Sequence, residues 1–133
     1  MEGLISSGID IESIERFAPL SSKEGFLRRV FTPGELAYSC NKRAPHRHLA
    51  GRFAAKEACM KALGTGLSGG IRWRDVEVVV AEDGRPGLRL HSTAKKSLGQ
   101  GRAFLSITYS GELAVALVVI EREQGRPFWG KPF

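Results

Sequence analysis

"GRFAAKEACMKALGTG", residues 51–66, decides how the rest of the chain is read. It reads as the second half of a helix running from about Pro45 to Leu63, with Gly64 placed to cap its C-terminus. Phe53, Ala54, Ala58 and Leu63 are candidates for its buried stripe. Lys56, Glu57 and Lys61 crowd into little more than a turn, and a glycine hinge, Gly64-Thr65-Gly66, follows at once. Residues four apart share a helix face, so Glu57 neighbours Lys61 while Lys56 is offset by one position. By itself such a pair is a surface contact that supports the helix by about a few tenths of a kcal/mol.

Upstream, "LISSGIDI" (residues 4–11) sets Ile5, Ile9 and Ile11 at a spacing of two, which predicts a strand with Gly8, Asp10 and Glu12 on its other face. "ESIERFAPL" is expected to be helical, with Ile14 and Phe17 at helical spacing and Pro19 as its end. Residues 21–40 predict two short helices. Thr32, Pro33 and Glu35 form the start signal of the second. "NKRAPHRH" begins as a basic loop. Downstream, "WRDVEVVV" is strand-like, "EDGRPG" is a turn into "LRLH", and "STAKKSLGQ" is a short amphipathic helix. "AFLSITYSGELAVALVVIE" predicts a closing hairpin turned at "SGE". The expected fold class is α+β: a mostly antiparallel sheet packed on one long central helix, with additional short helices. Residues 1–121 read as a single domain, and 122–133 as a C-terminal tail, loosely ordered or docked on a neighbour.

The bulk properties narrow the function classes. The 133 residues fit one domain, or a subunit completed by oligomerisation. The start lacks a basic n-region with an apolar core, and no apolar run approaches the ~20 residues of a membrane span. Cys40 and Cys59 lack metal or redox spacing, and Cys59 is expected to be a reduced, buried thiol. The cytoplasm is the default compartment. The net charge of +6 points to an acidic partner or a polyphosphate ligand. The basic residues are spread along the chain with no nucleic-acid motif and no interleaved aromatics, which argues against nucleic acid.

A sharper reading joins Glu57 to Asp10. One carboxylate holds Mg²⁺ poorly, because the ion takes about six oxygens, commonly from one or two carboxylates, waters and substrate phosphates. If the Asp10 face of the strand borders the long helix, the two acids can share one ion, with Lys61 neutralising the bridged phosphate. The glycine hinge would let backbone approach the same ligand. The competing reading of Asp10 is a strand-end acid capping the following helix.

Together "GIDIESIER", "FTPGELA", "LAGRFAAKEACMKALGTG", "DVEVVV…DGRPGL" and "LSITYSGELAVALVVIE" resemble, in this order, the short-chain phosphopantetheinyl transferases known as holo-acyl-carrier-protein synthases. The resemblance spans roughly residues 4–121. It implies an Mg²⁺-dependent enzyme that moves the 4′-phosphopantetheine arm of coenzyme A to a serine of an acidic acyl carrier protein. It also implies a homotrimer with CoA sites between subunits. Asp10 and Glu57 are then the metal carboxylates. Lys61 contacts the pyrophosphate, and Lys56 is a second cation near the phosphates with a possible proton-transfer role. Gly64, Thr65 and Gly66 line the nucleotide pocket. Lys42 and Arg43 reach the ribose phosphate, and Arg52 adds charge there. Arg16, Phe26 and Arg29 match positions that grip the carrier protein. The proton acceptor for the serine is Glu57 through a water, or Asp10.

One departure stands out. Where the family usually shows a histidine after the Ser-x-Ser/Thr of the closing strand, this chain has Tyr109, which can donate to a phosphate but carries no positive charge. His46 and His48 are two apart near a helix start, share no face and lack a third ligand. Ser106, Thr108 and Ser110 lack a base or nucleophile elbow. Trp73 and Phe104 are expected to serve packing. Against the enzyme stands a CoA-binding module that has lost turnover, with Tyr109 as its supporting feature.

Overall fold

A computed structural model describes residues 3–123. Strand β1 (Gly3–Ser13) pairs antiparallel with β5 (Leu113–Glu123), which pairs antiparallel with β4 (Arg102–Ser110), giving a sheet of order β1-β5-β4. The predicted hairpin is present: Ser110 faces Leu113 across a two-residue turn in which Gly111 takes φ 56. A second antiparallel pair joins β2 (Val76–Val80) to β3 (Pro86–Leu90). The helices are α1 (Phe17–Leu20), α2 (Glu24–Val30), α3 (Pro33–Cys40), α4 (Pro45–Leu63) and α5 (Ser92–Leu98).

Local signals fixed several ends. Thr32 caps α3 in a complete capping box with Glu35, and Pro33 follows at the first position. Gly64 closes α4 in the left-handed region, φ 79, with its N–H on the Met60 and Lys61 carbonyls. One boundary differs from expectation. The segment from Ile14 is not a helix of helical spacing: β1 runs on to Ser13, a turn follows, and α1 has four residues. Pairing explains this, because β1 and β5 stay in register over eleven positions and Ile14 N–H still reaches the Glu112 carbonyl at 2.8 Å. Strand β5 continues past Glu121 to Glu123; the rest of the predicted tail lies outside the described residues.

The 19 residues of α4 pack on β1 and β5, and twelve of them are buried, Arg52 and Lys56 included, so its covered surface is wider than the predicted stripe, of which Phe53 is only half-buried. Ala54, Ala58, Cys59, Leu63, Val76, Val118 and Ile120 share one core. A second gathers Phe17, Val30, Phe31, Leu49 and Ala114. Ile5, Ile9 and Ile11 face away from both and stand more than half exposed, beside Leu113, Leu117 and Phe104. The polar face of β1 is the one laid on the helix.

Candidate functional site

Gly8 makes that contact possible. A Cβ there would sit 2.0 Å from the Ala58 carbonyl oxygen and 2.8 Å from the Ala62 nitrogen, so only glycine lets the strand lie against the α4 backbone. Ser6 Oγ donates to the Ala62 carbonyl at 2.5 Å beside it. Asp10, two residues on and on the same face, therefore arrives at the side chains of α4. Lys61 Nζ donates to Asp10 Oδ1 at 3.2 Å and to the Ile9 carbonyl at 2.9 Å. Asp10 Oδ2 is buried, and among the described residues no N–H or ammonium donor reaches it. Glu57 lies close enough that burial first, and then the charge of Asp10, push its carboxyl above the usual range, against the pull of Lys61.

A third acid joins them. Glu12 is buried, and its carboxyl is pushed up to about 8, first by burial, then by a hydrogen bond with Asp10 and the charges of Asp10 and Glu57. Arg16, 3.4 Å away, works in the other direction. Spacing of two had already set Glu12 on the Asp10 face, yet only the fold shows that this face meets Glu57. Three carboxyl groups crowd beside the Lys61 ammonium and the Arg16 guanidinium, and the two that are raised, Glu12 and Glu57, would ionise more readily with a cation between them. Oxygen-only donors suit a hard ion such as Mg²⁺. Among the described residues no three His, Cys, Asp or Glu side chains form a finished cage, and an ion that keeps waters and substrate oxygens needs none.

Lys56 stands apart from the other predicted cations. One residue from Glu57, it is fully buried and spends all three donors inside the fold. Nζ bonds Glu35 Oε1 at 2.8 Å, the Trp73 carbonyl at 3.1 Å and the Val76 carbonyl. Glu35 in turn accepts from the N–H groups of Thr32 and Val78, each at 2.8 Å. With its three donors spent on these partners, Lys56 has none directed at the Asp10–Glu57 group, about 100° around the helix from it.

Toward the N-terminal end of α4 a different group forms. The Arg52 guanidinium, 4% exposed, lies 4.2 Å from the centre of the Tyr38 ring, and Lys42 Nζ lies 4.4 Å from the same ring. Arg47 sits 4.3 Å over the Tyr109 ring, and His48 is edge-on to both tyrosines. Tyr109 reaches into this group because Gly51 has no side chain: a Cβ would stand 2.4 Å from its hydroxyl. Burial first, and then the charges of Arg52, Lys42 and Arg47, push His48 below the usual histidine range. Of the predicted nucleotide residues the fold thus brings together Lys42, Arg52 and Tyr109, whereas Arg43 is exposed on the adjoining turn. Gly64, Thr65 and Gly66 follow Lys61 at the other end of α4. Tyr38, Arg47 and Glu12 are the residues that sequence reasoning passed over; a tyrosine on a short helix carried no signal of its own.

Arg16 is exposed next to the acids, Arg29 is exposed on α2, and Phe26 is half-buried against Phe17 and Phe31. Arg29 also lines a cavity of about 870 Å³ with Arg28, Arg72, Trp73, Arg74 and His91. Trp73 stacks on Phe53 at 4.9 Å, one turn of α4 before Glu57. His91 meets Glu77 at 3.0 Å.

Comparisons with known proteins give the family. The family model described as the 4′-phosphopantetheinyl transferase superfamily matches residues 6–118. A holo-[acyl-carrier-protein] synthase of Geobacter sulfurreducens is 47% identical, covering 90% of this chain and 98% of that protein. One from Methylobacterium sp. (strain 4-46) is 48% identical, covering 90% and 93%. Among solved structures, the Chronobacterium ammoniagenes ACPS-CoA complex superposes with a TM-score of 0.77 at 30% identity, covering 91% of this chain and 99% of that one.

Proposed function

The chain belongs to the 4′-phosphopantetheinyl transferase superfamily, and we propose that it moves the 4′-phosphopantetheine arm of coenzyme A to a serine of an acyl carrier protein, releasing adenosine 3′,5′-bisphosphate. The observation that carries this reading is the meeting of Asp10 and Glu57 across the β1–α4 contact, with Lys61 bonded to Asp10 and one carboxylate oxygen left over. Asp10 and Glu57 would hold Mg²⁺, with Glu12 behind them, and the ion would supply charge for the phosphoryl oxygens. In the reaction the serine oxygen attacks the β-phosphorus and the bond to the bridging oxygen of the α-phosphate breaks. Such transfers are driven by positioning and by cations near the developing charge. The exposed Lys61 ammonium offers that charge beside the acids. Glu57, whose carboxyl holds a proton more readily than usual, suits the acceptance of the serine proton through a water. Lys42, Arg52 and Tyr109 would take phosphates of the nucleotide. Gly64, Thr65 and Gly66 would border it.

An acidic carrier is supported by the guanidiniums of Arg28, Arg29, Arg72 and Arg74 around one cavity, with Arg16 nearer the acids. Association of subunits is supported by the exposed apolar face of Ile5, Ile9, Ile11, Leu113, Leu117 and Phe104, which a second subunit would cover, and the homotrimer is the form that the family resemblance implies. No helix among the described residues is long and apolar enough to cross a membrane. The test is to mix the protein with CoA, Mg²⁺ and an apo carrier protein and weigh the carrier. Gain of the pantetheine arm supports the transferase. CoA binding without that gain favours the binding module.

A further inference from the structure

Arg52 is an unusual buried cation. Its side chain is almost wholly removed from water, and among the described residues its Nε has no hydrogen-bond partner and no carboxylate pairs with it. Among the described residues Lys42 and Arg47 also lack an ion pair, since the acids that form them engage other cations. Three unpaired cations therefore gather around two tyrosine rings. Like charges gather only where something offsets their repulsion. The rings offer part of that offset through their negative faces, and an anion of two or more charges would supply the rest. Tyr38 stands out because two of the cations, Arg52 at 4.2 Å and Lys42 at 4.4 Å, lie over its one ring. They come from different elements: Arg52 from the middle of α4 and Lys42 from the turn after α3, the helix that carries Tyr38.

We propose that Tyr38 is a positioning residue that holds Arg52 and Lys42 together for a phosphate group of the nucleotide, an inference that rests on the CoA reading above. The ring fixes two flexible cationic side chains before the ligand arrives, so less freedom is lost on binding. It touches neither Asp10 nor Glu57, and its removal acts on binding rather than on turnover.

The experiment titrates the full chain with CoA, with dephospho-CoA and with inorganic pyrophosphate, comparing wild type, Tyr38→Phe and Tyr38→Leu. Tyr38→Leu is expected to weaken CoA about tenfold and to raise the KM for CoA alike, while kcat stays within about twofold. Tyr38→Phe, which keeps the ring, is expected to stay within about twofold of wild type throughout. A loss confined to CoA assigns the clamp to the ribose phosphate; a loss shared by dephospho-CoA and pyrophosphate assigns it to the pyrophosphate. If wild type binds CoA and Tyr38→Leu binds it equally well, the inference is overturned. If wild type binds no CoA, the proposed function falls. The clamp then stands or falls on pyrophosphate, which must bind wild type and bind Tyr38→Leu less well. Equal loss in Tyr38→Phe and Tyr38→Leu also overturns it, because the hydroxyl and not the ring would then matter. Should Tyr38→Leu not fold, Tyr38→Met replaces it, filling the space with an unbranched chain that has no π face.

Discussion

Two lysine–carboxylate pairs five residues apart on α4 behave as opposites. Lys56 and Glu35 are wholly enclosed, and both spend their hydrogen-bonding capacity on named partners. Lys61 and Asp10 meet at the rim, with the lysine half exposed and one carboxylate oxygen that, among the described residues, no N–H or ammonium donor reaches. The acids around each pair follow suit. Beside the enclosed pair, Glu77 titrates below the usual range: burial alone would raise it, but hydrogen bonds from His91 and Thr32 prevail. In the open group, Glu12 and Glu57 are pushed up instead. A closed polar network ties α3, α4 and β2 together, whereas an open one keeps binding capacity in reserve for a ligand.

The largest effect expected from breaking the open group is on turnover. Asp10→Ala and Glu57→Ala should each lower carrier modification by about a thousandfold or more, while circular dichroism shows the fold intact. Full activity in both would refute the pairing of these acids on one ion. The closed pair should answer in stability. Lys56→Met leaves Glu35 buried and unpaired, and a loss of about 3–5 kcal/mol in denaturant unfolding is expected. Lys61→Met should move stability by less than about 1 kcal/mol and depress turnover; similar unfolding midpoints for the two variants would erase the distinction.

Gly8→Ala probes the contact beneath the open group. With backbone 2.0 Å from the new Cβ, strand and helix must part, and a loss of about 3 kcal/mol is expected together with weaker Mg²⁺ binding by calorimetry. A smaller effect comes from pH. Carboxyls raised in the folded state favour it most below their unfolded pKa, and that advantage is lost as pH rises through the folded value. Ion-free protein should therefore lose stability between pH 4.5 and about 8 on account of Glu12, and saturating Mg²⁺ should flatten that slope in thermal melts. The smallest change is Tyr109→His. The cations that hold His48 low would hold this imidazole neutral in the free protein, and a bound phosphate would offset them, so CoA affinity is expected to gain about threefold over wild type as pH falls to about 5 and not to differ at about pH 8. Equal affinities of wild type and variant at both pH values would remove Tyr109 from phosphate contact.

The sequence by itself determined the elements whose signals are local. The capping box at Thr32, the Gly64 stop, the hairpin at Gly111 and the alternation of "LISSGIDI" each depend on a few neighbouring residues, and all are present. The spacing also put Asp10 and Glu12 on one face and Glu57 beside Lys61. Tertiary structure alone decided which face of β1 is covered, because the isoleucines that look like core point outward and a glycine opens the polar face to α4. It alone separated Lys56 from Lys61, since a residue's direction around a helix acquires meaning only when neighbours stand on each side. It alone gathered Tyr38 with Lys42 and Arg52, because contacts between distant residues depend on packing that no local pattern records.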